Sequence, residues 1–157
     1  MSCSVFLIRN SDSNEASVRR SLSTAYCALF HLRVRDAILN WKHADHRSRL
    51  ARTFDHRRMN EASTAILKGM RSVRNSENIA VDPEQASRFK LSAVAQAFVD
   101  LQQARHMADY DIDEPFHPPD AAIDVAQARL AFLTWADIKD GPLAQGYLYS
   151  ILFKDRP

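Results

Sequence analysis

Apolar and polar residues follow a helical rhythm along most of this chain, most clearly from Glu15 to Trp41, EASVRRSLSTAYCALFHLRVRDAILNW. There Val18, Leu22, Ala25, Tyr26, Leu29, Phe30, Val34, Ala37 and Trp41 recur every three or four residues, the period of an amphipathic α-helix. No glycine or proline interrupts the stretch. Ser11 or Ser13 can cap its start, and Glu15 is favourable in the first turn. The helix is expected to end near Lys42. Its apolar arc spans roughly 200°, enough to touch two or three neighbouring helices. The other helices are therefore expected to close around it. Arg33 and Asp36 fall inside the arc. They are read as running their ends out to solvent or pairing locally; the alternative is buried charge, which requires a partner from another helix.

Residues 1–14 show no period and read as a flexible lead-in. A second helix is expected over 45–56, with Leu50, Ala51 and Phe54 on its apolar side. A continuation over 57–71 carries Met59, Ala62, Ile66, Leu67 and Met70, and the pattern leaves open whether this is one kinked helix or two. Residues 72–81 read as a loop. Asp82-Pro83-Glu84 marks a helix start. The helix over 83–109 has Leu91, Val94, Ala97, Phe98, Leu101, Ala104 and Ala108 on its inner face. Arg105 lies on that same face, with Asp109 one turn on near its edge. Three prolines within residues 111–119 must break helix. Asp120 is then read as the cap of a helix over 121–139. Ile123, Val125, Ala126, Leu130, Phe132, Leu133, Trp135 and Ile138 make that helix apolar on nearly every side, as for a central helix or one shared with a partner molecule. Gly141-Pro142 stops it. Residues 143–153 favour helix, although Tyr147-Leu148-Tyr149 leaves a strand possible. The fold expected is all-α: an antiparallel up-and-down bundle of four to six helices, with residues 15–157 as a single domain.

The composition agrees with that architecture. At 157 residues the chain is of one-domain size, and 46% hydrophobic with 25% charged residues is ordinary for a globular protein. Three glycines, with neither a GxGxxG nor a GxxxxGK[ST] pattern, argue against phosphate-cradling loops. Cys3 and Cys27 suggest neither a disulfide framework nor a zinc site, and Cys27 reads as a small packed side chain. The apolar run Val5–Ile8 is too short for a signal segment or a membrane span, so a cytoplasmic location without membrane association is expected. Charge is unevenly divided. The first 78 residues hold 14 Lys+Arg against 7 Asp+Glu, net +7; the remainder holds 7 against 12, net −5. A basic half can steer a polyanion, or meet the acidic half of the same fold or of a second copy.

Three stretches hold candidate chemistry. In His46–Arg58, Arg49, Arg52 and His56 share one face of the expected helix and suit phosphate contact; a solvated face paired with Asp45 and Asp55 is the alternative. In Arg105-His106-Met107-Ala108-Asp109-Tyr110, an arginine on an apolar face needs a partner, and Asp109 can supply it. The run Asp109, Asp111, Asp113, Glu114 and His117 is rich in oxygen but lacks the glycine and distal glutamate of a calcium loop. His43, His46 and His56 lack a ligand spacing, no helix carries a di-iron pattern, and no Ser or Cys sits in a nucleophile setting. Neither a metal nor a cofactor is expected.

Ser21-Leu22-Ser23-Thr24-Ala25-Tyr26-Cys27-Ala28-Leu29-Phe30-His31 resembles the AYYALFH first-helix signature of bacterial HEPN-domain proteins. Arg105-x-x-Ala-Asp-Tyr110 resembles the R-x-x-ADY element of one branch, and Ala51–Met59 is similar to the His-bearing segment between them. The resemblance covers roughly residues 15–112. It implies a helical bundle, often a homodimer with a shared cleft, of a kind found among metal-independent ribonucleases, toxins and partners of nucleotidyltransferases. The nucleolytic members use an Arg, four to six residues, then a His. Here Arg105 matches the Arg, the next polar position is His106, and Tyr110 stands at the catalytic His position, which points away from catalysis. Arg49 and His56 satisfy the bare spacing, but on a different helix.

The resemblance thus implies a non-catalytic module that dimerises and binds RNA, a nucleotide or a protein partner such as a nucleotidyltransferase. Arg105 and Asp109 would orient a hollow beside the first helix, Tyr26, His31 and Tyr110 would line it, and Arg49, Arg52 and His56 would meet phosphate. Two alternatives are a metal-independent endoribonuclease using Arg105 with His106 or His56, and a structural dimerisation or antitoxin-like protein.

Overall fold

The computed structural model describes residues 15–74, 83–111 and 118–153, with side chains of the first segment described as far as Met70. Within them lie α1 (Glu15–Leu39), a single 3-10 turn (Ala44–His46), α2 (Arg47–Ala51), α3 (His56–Arg74), α4 (Pro83–Tyr110), α5 (Pro118–Ile138) and α6 (Pro142–Leu152). The chain is an all-α helical bundle, and Tyr147-Leu148-Tyr149 is helical. The lead-in, the Asp82 cap, most of the 72–81 loop, and Asp113, Glu114 and His117 lie outside the described residues.

Several boundaries differ from expectation. The helix anticipated over 45–56 is split: α2 stops at Ala51, and His56 opens a separate helix. Arg52 and Thr53 close a tight turn onto Arg49 O and Leu50 O, and Thr53 Oγ1 also donates to Leu50 O. Asp55 then caps α3, its Oδ1 accepting from Arg57 N–H at 2.8 Å. Arg49, Arg52 and His56 therefore do not share a helical face. α5 begins at Pro118, where missing N–H groups cost nothing, so Asp120 lies in the first turn and is not the cap. α1 ends at Leu39, leaving Trp41 40% exposed beyond it.

Helix directions follow from cross-helix contacts. Arg19, early in α1, reaches Ala108 O at the end of α4, while Arg33, later in α1, reaches Val94 O. Those two helices are antiparallel. Asn60 with Gln102 sets α3 against α4 in the same sense, and Lys90 with Asp137 does so for α5. Arg58 on Leu152 O opposes α3 to α6. α1, α3 and α5 thus run one way, α4 and α6 the other. α1 and α4 share the centre of the bundle: α4 packs against α1, α3, α5 and α6, and α1, as expected, against α2, α4, α5 and α6. The core holds Leu22, Tyr26, Leu29, Met59, Phe98, Leu101, Trp135 and Leu148 essentially without solvent contact, each large apolar side chain contributing about 1.5–3 kcal/mol.

α5 is not central. It buries Ala121, Val125, Ala128, Ala131, Trp135 and Ile138, while Ile123, Leu130 and Leu133 face outward, the two leucines each 64% exposed.

Arg33 and Asp36 are both buried and do not reach solvent; Asp36 does pair locally, with Arg35, and each also finds the partner on another helix that the alternative required. Arg33 donates from Nη2 to Val94 O at 2.7 Å and lies over the rings of Phe98 and Tyr147 at 4.6 and 5.6 Å. Its Nε has no partner among the described residues, and burial pulls its pKa down. Asp36 accepts from Trp135 Nε1 at 2.8 Å and also pairs with its neighbour Arg35.

Part of the basic excess closes helix ends, where carbonyls lack partners and cations are favoured. Arg19 Nη1 caps α4 on Ala108 O and Asp111 O. Arg47 caps α1 on Leu39 O and Trp41 O, and Arg58 caps α6.

Candidate functional site

The break between α2 and α3 positions the site. It delivers His56, the first residue of α3, to the inner face of α1, where Tyr26 waits in the apolar arc. Tyr26 OH and His56 Nδ1 are 2.7 Å apart in a hydrogen bond. The imidazole lies over Phe30, ring centroids 4.1 Å apart and tilted 36°. From α4, Arg105 sets its guanidinium over the Tyr26 ring at 5.1 Å and donates from Nε to Asp109 Oδ2 at 2.9 Å. Gln102, one turn before His106 on α4, bonds to Asn60 and to His56 O at 3.4 Å, fixing the start of α3 against α4. His31 meets Phe30 edge-on at 5.4 Å.

These neighbours set the protonation states. Burial pushes the Tyr26 phenol up to about 12, with the Arg105 charge opposing it. His56 is pulled down, first by burial and then by Arg105 and His31, against a smaller pull from Asp55. Burial works against the Arg105 cation, but the bond and charge of Asp109 outweigh it and the net direction is upward. At neutral pH the cluster holds a phenol, a neutral imidazole and a cation. When Tyr26 donates to Nδ1, His56 carries its ring proton on Nε2.

Of the residues singled out in the sequence, Tyr26, His31, His56, Arg105 and Asp109 gather here. Tyr110 does not line the hollow: it is 72% exposed, and its ring contact is with His106, centroids 5.0 Å apart. His106 therefore lies on the flank of α4 and not against His56. Arg49 and Arg52 are exposed at the end of α2, and no hydrogen bond, ion pair or ring contact among the described residues joins them to the cluster. Two participants escaped the sequence reading as site residues. Phe30 registered only as core, and Gln102 gave no signal beyond a polar side chain beside Leu101. No metal-binding group of His, Cys, Asp or Glu occurs among the described residues, and none of their helices is long and apolar enough to cross a membrane.

No family model, curated protein or solved structure matches this chain.

Proposed function

We propose that this protein is a non-catalytic, HEPN-like helical module that binds the phosphate backbone of RNA at the α1–α3–α4 junction. One observation carries the reading: three helices bring a partly exposed arginine and a neutral histidine onto the same buried tyrosine ring. Asp109 engages Arg105 through Nε and the Tyr26 hydroxyl also draws on the guanidinium, so a phosphate would meet the terminal nitrogens that these two leave over. His56 adds a ring donor, and exposed Arg49 and Arg52 add longer-range attraction.

The test is fluorescence anisotropy of a labelled RNA oligonucleotide in EDTA at two salt concentrations. Binding should weaken with salt. Arg105→Gln should weaken it by about tenfold or more, since a hydrogen bond to a charged group contributes about 1.5–3 kcal/mol. No RNA affinity at low salt would overturn the reading.

A second reading, metal-independent RNA cleavage, draws on a specific feature: His56 is held neutral beside Arg105, and in the tautomer whose Nδ1–H donates to Tyr26 OH its Nε2 lone pair is free to act as general base on a ribose hydroxyl. Cleavage resistant to EDTA and abolished in His56→Gln would favour it. Self-association belongs to either reading. Ile123, Ala126, Leu130 and Leu133 recur at steps of three, four and three on the outer face of α5, the spacing of a helix-pairing seam, which supports a second copy as its cover. A dimer in sedimentation, lost in Leu130→Lys, is the outcome expected.

A further inference from the structure

We infer that His106 and Tyr110 form a stacking platform for one unpaired nucleobase, beside the phosphate site of Arg105 and His56; this rests on the phosphate-binding reading above. The two rings lie one turn apart on α4, 5.0 Å between centroids and tilted 47°. Tyr110 is the most exposed large apolar side chain among the described residues, and the core makes no use of it. The open face of the Tyr110 ring is what a base with a free π-face stacks upon, with little regard to base identity, and the tilted His106 ring flanks it.

Placement fixes which part of a nucleotide goes where. Successive side chains on an α-helix are about 100° apart, so His106 flanks Arg105 and Tyr110 flanks Asp109. The platform therefore sits on the adjoining flank of α4, about a quarter turn round the helix from the phosphate-binding guanidinium. Asp109 lies between the two, its carboxylate held by Arg105. The platform offers ring faces and no arginine or lysine, so it suits a base rather than a second phosphate. The chain recognised would thus pass its phosphate over Arg105 and turn a base outward onto Tyr110. Bases inside a duplex cannot do this, so the ligand class is single-stranded nucleic acid.

The experiment compares binding of oligo(U) RNA, an abasic oligonucleotide of equal length, and oligo(dU), to the full chain and to Tyr110→Leu and Arg105→Gln, with circular dichroism confirming the fold of each variant. Tyr110→Leu should weaken oligo(U) by about tenfold, within the range of one stacked base, and leave the abasic chain unaffected. Arg105→Gln should weaken both. A preference for oligo(U) over oligo(dU) assigns the ligand to RNA; equal binding extends it to DNA, and both support the platform. Equal affinity of the unmodified protein for base-bearing and abasic chains overturns the platform while leaving the phosphate site standing. Absence of binding by every oligonucleotide overturns both.

Discussion

Replacing Arg33 by methionine tests how the core tolerates a cation. The guanidinium is 0% exposed and meets no carboxylate among the described residues. In its favour stand one charge-assisted bond to Val94 O, about 1.5–3 kcal/mol, a long, weak one from Nη1 to Met59 Sδ at 3.9 Å, and two ring contacts of at most about 2 kcal/mol each. Against it stand the several kcal/mol needed to take an ion out of water, and an unbonded Nε costing about 1–3 kcal/mol. These nearly cancel. Methionine keeps the length and packing of the stem, so Arg33→Met should fall between unchanged and about 4 kcal/mol more stable, the range seen when buried ions give way to apolar residues. Arg33→Ala removes the stem as well and should lose about 2–5 kcal/mol. Urea denaturation followed by circular dichroism measures both. A loss above about 3 kcal/mol for Arg33→Met, at unchanged denaturant dependence, would refute the reasoning by showing that the charge itself holds the core.

Other consequences can be checked alongside. Trp135→Phe removes the donor to Asp36 Oδ2 and should cost about 1–3 kcal/mol or more, because it strands a buried carboxylate oxygen; an unchanged urea midpoint would show that the bond contributes nothing. His56 should titrate by NMR below the ordinary imidazole value, and Arg105→Gln should raise its midpoint without restoring that value, since burial remains. Because the folded pKa is the lower one, the unfolded chain binds the extra proton in that window. Stability should therefore rise with pH up to about 6.5. Tyr26 works in the opposite sense: its folded pKa of about 12 exceeds the ordinary 10.0, so its contribution is complete below pH 10 and declines from there towards 12. Thermal melts above pH 10 should fall more steeply for the unmodified protein than for Tyr26→Phe.

The helices themselves were legible because apolar periodicity is a local property. The stripes of α1 and α4 match their buried faces nearly residue for residue. The break at 52–55 was harder to see, since neither glycine nor proline marks it. Asp55, an N-cap residue ahead of His56, was its one local sign. That break decides the site: on a continuous helix His56 would share a face with Arg49, whereas at the head of α3 it meets Tyr26 and Phe30.

What the amino-acid order determined by itself is the helical class, most element positions, and the pairing of Arg105 with Asp109, all of which depend on residues within one or two turns of each other. Tertiary structure alone decided that α4 shares the centre with α1, that Arg33 and Asp36 are buried, that His56 joins Tyr26, and that Tyr110 faces water. Several helices carry apolar arcs wide enough to be central. Which arc is fully covered, and which charge inside it finds a partner, depends on helices distant in the chain, and a periodic pattern holds no information about their meeting.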